Sequence, residues 1–168
     1  YYGMIDNNIG YIKLTNFFQN AGKEVKEDFL KLKEQGMKSL IFDLRGNGGG
    51  LLNEAVNIVN IFVDKGVVVV NTKGRLKDRN NTHKTLNPVI DATIPLVVLV
   101  DRGSASASEI VAGAIQDLDR GIILGERTFG KGLVQNVVPL SYNTKLKVTV
   151  AKYYIPSGRC IQAIDYSV

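Results

Sequence analysis

The chain holds one histidine, His83, and one cysteine, Cys160, in 168 residues. A single cysteine excludes an internal disulfide and leaves no cysteine cluster for zinc. A single histidine, set in the polar stretch RNNTHKTLN, argues against a serine–histidine hydrolytic pair. No apolar run approaches the roughly 18 residues that a membrane-spanning helix needs, and no signal peptide is visible. The chain opens on YYGMID without an initiator methionine, which is compatible with a targeting segment removed upstream. Charge of one sign is not in large excess either. The formal net charge is +5, and the densest basic patch, KGRLKDRNNTHK, carries no interleaved aromatics. It reads as a solvated loop rather than a nucleic-acid surface.

What is present is ordinary for a soluble globular domain: 45% hydrophobic and 22% charged residues. The length fits one domain, so residues 1–168 are expected to form a single core. Ile9–Phe17 alternates as a strand. In KEVKEDFLKLKEQG, Val25, Phe29, Leu30 and Leu32 approximate one helical face, with Gly36 as a C-cap. Ser39–Leu44 is a short buried strand, broken by RGNGGG, after which LLNEAVNIVNIFVD resumes a helical period. GVVVVNT is again a strand. Lys73–Thr93 is polar and irregular, a candidate functional loop or flap. IPLVVLV, GIILGE, GLVQNVVPL and KLKVTVAKYYI read as strands, and ASEIVAGAIQDL as a helix. The alternation predicts an α/β fold: a mostly parallel sheet with helical crossovers, covered on both faces, plus a C-terminal β-hairpin around SYNTK.

Three glycine and serine motifs carry chemistry. GERTFGKG approaches the phosphate loop, but Gly132 stands where a hydroxyl must hold magnesium, and a strand follows instead of a helix. RGNGGGLL departs from the dinucleotide pattern, with Leu51 in the third-glycine position. Gly48, Gly49 and Gly50 have a second use, presenting backbone N–H groups to an oxyanion; a plain strand-to-helix turn is the competing reading. In DRGSASASEI, Ser106 and Glu109 fit the capping box S-x-x-E. Ser106 is thus a helix cap, a nucleophile at a positively polarised helix mouth, or both. Its base is harder to find. Lys131, between Gly130 and Gly132, is either a solvated lysine or that base. A lysine base must shed its proton near neutrality, a fall of roughly 3 in pKa or about 4 kcal/mol, which calls for an apolar, desolvated site.

DLRGNGGGLL, SASASEIVAGAIQD, ERTFGKGLVQ and VAKYYIPSGRCIQ occur in this order. Together they resemble the carboxy-terminal processing peptidases, or tail-specific proteases, over nearly the whole chain. The resemblance implies a fold related to Clp protease and crotonase. It also implies a serine–lysine endopeptidase with Ser106 as nucleophile, Lys131 as general base and Gln135 orienting the lysine. The oxyanion hole would be formed by the N–H of Ala107 and that of Gly49 or Gly50. It implies no metal and no cofactor. The expected partners are unstructured C-terminal tails of protein substrates in a periplasmic or otherwise extracytoplasmic compartment. Neither nucleic acid nor membrane insertion is expected, and the oligomeric state is left open. Members usually have proline where Gly48 stands, and most carry a PDZ domain before the core, which this chain is expected to lack. The competing reading is a non-proteolytic ligand- or peptide-binding module on the same fold.

Overall fold

A computed structural model describes residues 1–6 and 8–164. Its elements run β1 (Tyr2–Asp6), β2 (Ile9–Lys13), α1 (Ala21–Glu34), β3 (Ser39–Asp43), α2 (Leu52–Phe62), β4 (Val68–Lys73), a short 3-10 turn (Lys77–Arg79), β5 (Asn81–Lys84), β6 (Leu96–Val100), α3 (Ala107–Asp117), β7 (Ile122–Gly125), β8 (Leu133–Pro139) and β9 (Lys145–Tyr154). They build two sheets. The first has the order β1-β2-β3-β6-β7, with β2, β3, β6 and β7 parallel and β1 antiparallel at one edge. The second is antiparallel, in the order β5-β4-β9-β8.

The helices follow from apolar spacing. In α1, Val25, Phe29 and Leu32 are buried at steps of four and three. Leu30, read from sequence as part of that face, lies about 100° from Phe29 and points outward. Gly36 ends the helix at φ 91°. The mouth of α1 is capped from α2: the buried Glu54 carboxylate accepts Gly22 N–H at 2.8 Å and Asn20 N–H at 3.3 Å. Phe29 of α1 meets Phe62 of α2 edge to face, centroids 5.5 Å apart.

The sequence predicted helical crossovers on a sheet covered on both faces, without helices being assigned to each face. The strands advance in one direction, and right-handed crossovers then set α1, α2 and α3 on the same side. The burial of β6 agrees: Leu96, Val98 and Val100 are buried, while Val97 and Leu99 on the other face are only partly so. The predicted hairpin β8–β9 forms, but it belongs to the second sheet, which also takes β4. The stretch Lys73–Thr93 is less irregular than its composition suggests, because β5 within it pairs with β4. The parallel strands β3, β6 and β7 all end at one crest, and the loops that follow them meet there.

Candidate active site

Three loops build the site: residues 44–51 after β3, 101–106 after β6 and 126–132 after β7. The loop after β6 sets the serines apart from one another. Ser104 Oγ donates to Leu44 O at 2.8 Å, and Ser108 Oγ donates to Asn47 O at 2.9 Å; both residues are fully buried. Their hydroxyls hold the loops together. Ser106 is half-buried, at φ 57° and ψ −112°. A serine in that region is strained by about 1–3 kcal/mol and persists only where the surroundings over-determine it. Here they do: Ser106 N–H donates to Glu109 Oε2 at 2.8 Å, Ala105 N–H to Asn47 O at 3.0 Å and Ile110 N–H to Ser106 O at 3.0 Å.

Glu109 extends well beyond its capping role. The buried carboxylate takes four donors. Oε2 accepts Ser106 N–H and Lys131 N–H, each at 2.8 Å. Oε1 accepts Gly130 N–H at 2.6 Å and Thr128 Oγ1–H at 2.8 Å. One oxygen thus holds the backbones of Ser106 and Lys131 side by side. Phe129 N–H, donating to Ser104 O at 3.0 Å, closes the same two loops. The glycines around Lys131 follow from this crowding. A Cβ on Gly130 would lie 2.4 Å from Ala163 Cβ, and one on Gly132 would lie 2.2 Å from Gln162 N.

Lys131 itself is exposed. Among the described residues no hydrogen bond links its Nζ to Ser106 Oγ, and the apolar enclosure expected from sequence is not around it. Gln135, also exposed, lies on β8 opposite Thr149 of β9. His83 sits half-buried on β5, with β4 and β9 between it and β8, where burial pushes its imidazole pKa down.

The glycine loop divides its candidates. Gly49 N–H is taken by Asn47 Oδ1 at 2.9 Å. Gly50 donates to no described residue: its neighbours carry the bridge to Phe17, through Phe17 N–H to Gly49 O and Leu51 N–H to Phe17 O. Ala107 N–H, at the first position of α3, is likewise without a described acceptor. Gly49 lies against the serine turn at φ 97°, where a Cβ would fall 2.6 Å from Ala105 O and 2.9 Å from Ala107 N.

The profile of Peptidase family S41 matches residues 8–167. The chain belongs to Peptidase family S41. A chloroplastic C-terminal processing peptidase of Tetradesmus obliquus is 43% identical over 167 residues, covering 98% of this chain and 35% of the relative. A carboxy-terminal-processing protease of Bartonella bacilliformis is 41% identical, covering 95% of this chain and 38% of the relative. The solved photosystem II D1 C-terminal processing protease superposes with a TM-score of 0.83 at 43% identity, over 92% of this chain and 39% of that one. The chain therefore spans little more than a third of the length of these relatives. Among the described residues no helix is long and apolar enough to cross a membrane.

Two parts of this candidate site carry no distinctive mark in the sequence. Asn47, fully buried, is hidden among glycines that drew the attention to themselves. Asp101 closes the back of the site. Its Oδ1 accepts Gly46 N–H at 2.8 Å, Gly103 N–H at 2.9 Å and Ser104 N–H at 3.1 Å. The visible signal was position: Asp101 directly follows the buried strand β6 and Asn47 lies in the turn after β3, where polar side chains satisfy the turn.

Proposed function

We propose that the chain is the catalytic core of a serine endopeptidase that cleaves protein substrates near their C-termini. Ser106 is the nucleophile and Lys131 the general base. The observation that carries this reading is the Glu109 carboxylate, whose single oxygen holds Ser106 N–H and Lys131 N–H together. It is supported by the disposition of the three serines, of which only Ser106 donates its hydroxyl proton to no described acceptor.

In the proposed reaction Ser106 Oγ attacks the scissile carbonyl carbon while its proton passes to Lys131 Nζ. The carbonyl oxygen becomes an oxyanion and takes hydrogen bonds from Ala107 N–H and Gly50 N–H. Collapse breaks the C–N bond, the departing amine takes the proton from Lys131, and an ester remains on Ser106. Water, deprotonated by Lys131, then attacks the ester; the acid leaves and the Ser106 hydroxyl is restored. Gln135 orients Lys131. A lysine works as a base only when desolvated, and Lys131 is exposed in the unliganded chain. The substrate supplies the cover: a tail lying along β8 excludes water from the Lys131 side chain. The whole protein is proposed to act on unstructured C-terminal tails in an extracytoplasmic compartment; of this, the names of its relatives support carboxy-terminal processing.

The test compares Ser106→Ala and Lys131→Arg with the unaltered protein on an unfolded protein substrate. Both variants are expected to lose hydrolysis. Arginine keeps the positive charge but accepts no proton. Ser106→Ala is expected to keep its melting temperature, because the bond from Ser106 N–H to Glu109 is a main-chain one. A role as helix cap alone predicts the reverse, a loss of about 1 kcal/mol in stability with hydrolysis retained.

A further inference from the structure

Asn47 is fully buried and takes part in four hydrogen bonds besides that of its own N–H, three of them beyond its own loop. Its Nδ2 donates to Leu14 O at 2.8 Å, at the exit of β2, and its Oδ1 accepts Gly49 N–H at 2.9 Å. Its main-chain oxygen accepts Ala105 N–H at 3.0 Å and Ser108 Oγ–H at 2.9 Å. One residue so ties β2, the glycine loop and the serine turn. Gly49 is pressed against that turn, with no space for even a methyl group. Because the Asn47 side chain occupies the Gly49 N–H, the next N–H along, that of Gly50, is left open.

We infer that Asn47 is a positioning residue for acyl transfer: its side-chain amide holds the glycine loop in the register that presents Gly50 N–H, together with Ala107 N–H, to the oxyanion. This rests on the reading of Ser106 as the nucleophile. The position demands a planar group with one acceptor and one donor. An amide supplies both. A carboxylic acid supplies both only while protonated, its carbonyl accepting Gly49 N–H and its hydroxyl donating to Leu14 O. Once ionised it has no donor, and its negative oxygen faces the Leu14 carbonyl. Asn47→Asp is therefore a proton-dependent copy of the native residue. The charged groups around the loop are Asp43 with Arg45, Asp101 on Gly46 N–H, and Glu109 on Ser106 N–H. All are common to the variant and the native protein, so their titrations cancel in the ratio of the two.

The experiment measures turnover of an apolar-tailed peptide by both proteins from about pH 5 to about pH 9. Loss of an oxyanion donor costs roughly 100-fold or more in turnover. The ratio of variant to native kcat is expected to stay within about 3-fold at the acid end and to fall by about 100-fold as pH rises, with KM unchanged. A role in packing alone lowers the melting temperature and leaves the ratio flat; a flat ratio, or a change confined to KM, overturns the inference. A second measurement needs no activity. Hydrogen exchange at the Gly49 amide is expected to quicken about 10-fold or more in Asn47→Ala, with β6 amides unaffected. Unchanged Gly49 protection overturns the clamp. If the native protein hydrolyses nothing and Ser106 resists a serine-directed phosphonate, the proposed function fails, and exchange at Gly49 still decides whether Asn47 holds the loop.

Discussion

At the scale of single residues the site depends on buried acceptors that each hold several main-chain donors. Glu109 is the clearest case, since its four donors come from two loops 20 residues apart in sequence and include the backbone of Lys131. A neutral amide there retains at best one oxygen toward Ser106 and Lys131. Its NH2 then faces Gly130 N–H, donor against donor, while the Thr128 hydroxyl turns to accept. Glu109→Gln is expected to lower stability by about 2 kcal/mol, the cost of one charge-assisted bond lost with its donor left buried. Turnover is expected to fall by about 10-fold or more as Lys131 loses its anchor, one misplaced group being enough for that. Urea unfolding and peptide turnover measure the two effects. Unchanged values for both would mean that Glu109 is a helix cap and no more. The capping box made Glu109 visible in the sequence, and the glycines made Lys131 conspicuous. Nothing local connects them, because the bond between them spans 22 residues and exists only once β7 has paired with β6. The same holds for the exposure of Lys131, which depends on what lies over β8 and not on its sequence neighbours.

At the scale of elements, periodicity located the three helices and most strands, because each buries one face and the apolar residues must recur at the matching step. It missed the polar β5, whose NTHK has no apolar stripe and is a strand only through its pairing with β4. It also missed the split into two sheets. Local period specifies that KLKVTVAKYYI is extended but not which edge it joins. The split has a functional consequence, since β8 is a terminal strand of the second sheet and, among the described residues, pairs with β9 alone. Its free edge begins two residues after Lys131. An extended tail added there would gain main-chain hydrogen bonds with little demand on its sequence and would run past the serine turn. Adding an apolar tail peptide to Ser106→Ala is expected to slow hydrogen exchange at the outward amides of β8, with β5 and β7 unaffected. Protection on β7 instead, whose Ile122 and Leu124 are exposed, would place the tail on the other sheet and leave the serine–lysine assignment standing.

Over the whole molecule, parts distant in sequence are joined by four carboxylates, all held below their ordinary pKa. Burial pushes Asp43 up, but hydrogen bonds from Arg45 and Tyr11 outweigh it and bring it down to about 2. Main-chain N–H donation, from Gly46 first, holds Asp101 down. Burial raises Asp91 and Asp117 too. It is outweighed at Asp91 by Lys33 and the turn at Thr93 and Ile94, and at Asp117 by Ser157 and Arg159. In each case the unfolded chain binds a proton at a pH where the folded chain does not. Stability from these groups is therefore complete above their ordinary range near 4 and is lost as pH falls through their folded values. For the fully buried Asp43, displaced from 3.8 to about 2, the contribution is about 2 kcal/mol. Unfolding free energy is expected to decline modestly as pH falls through the ordinary histidine range, where the unfolded chain protonates His83 before the folded one does, and to drop steeply below about pH 4. Asp43→Asn should be less stable than the native protein at neutral pH, and the two curves should converge toward about pH 2, where the native carboxylate has taken its proton. Urea titrations across that range decide it. Parallel curves would mean that the Asp43 pair with Arg45 contributes packing rather than charge. Asp43 and Asp101 both sit at the crest where the three loops meet, so acid should loosen the site first. Exchange at the Gly46 and Ser104 amides, both bound to Asp101, should then quicken at a higher pH than exchange in the β6 core.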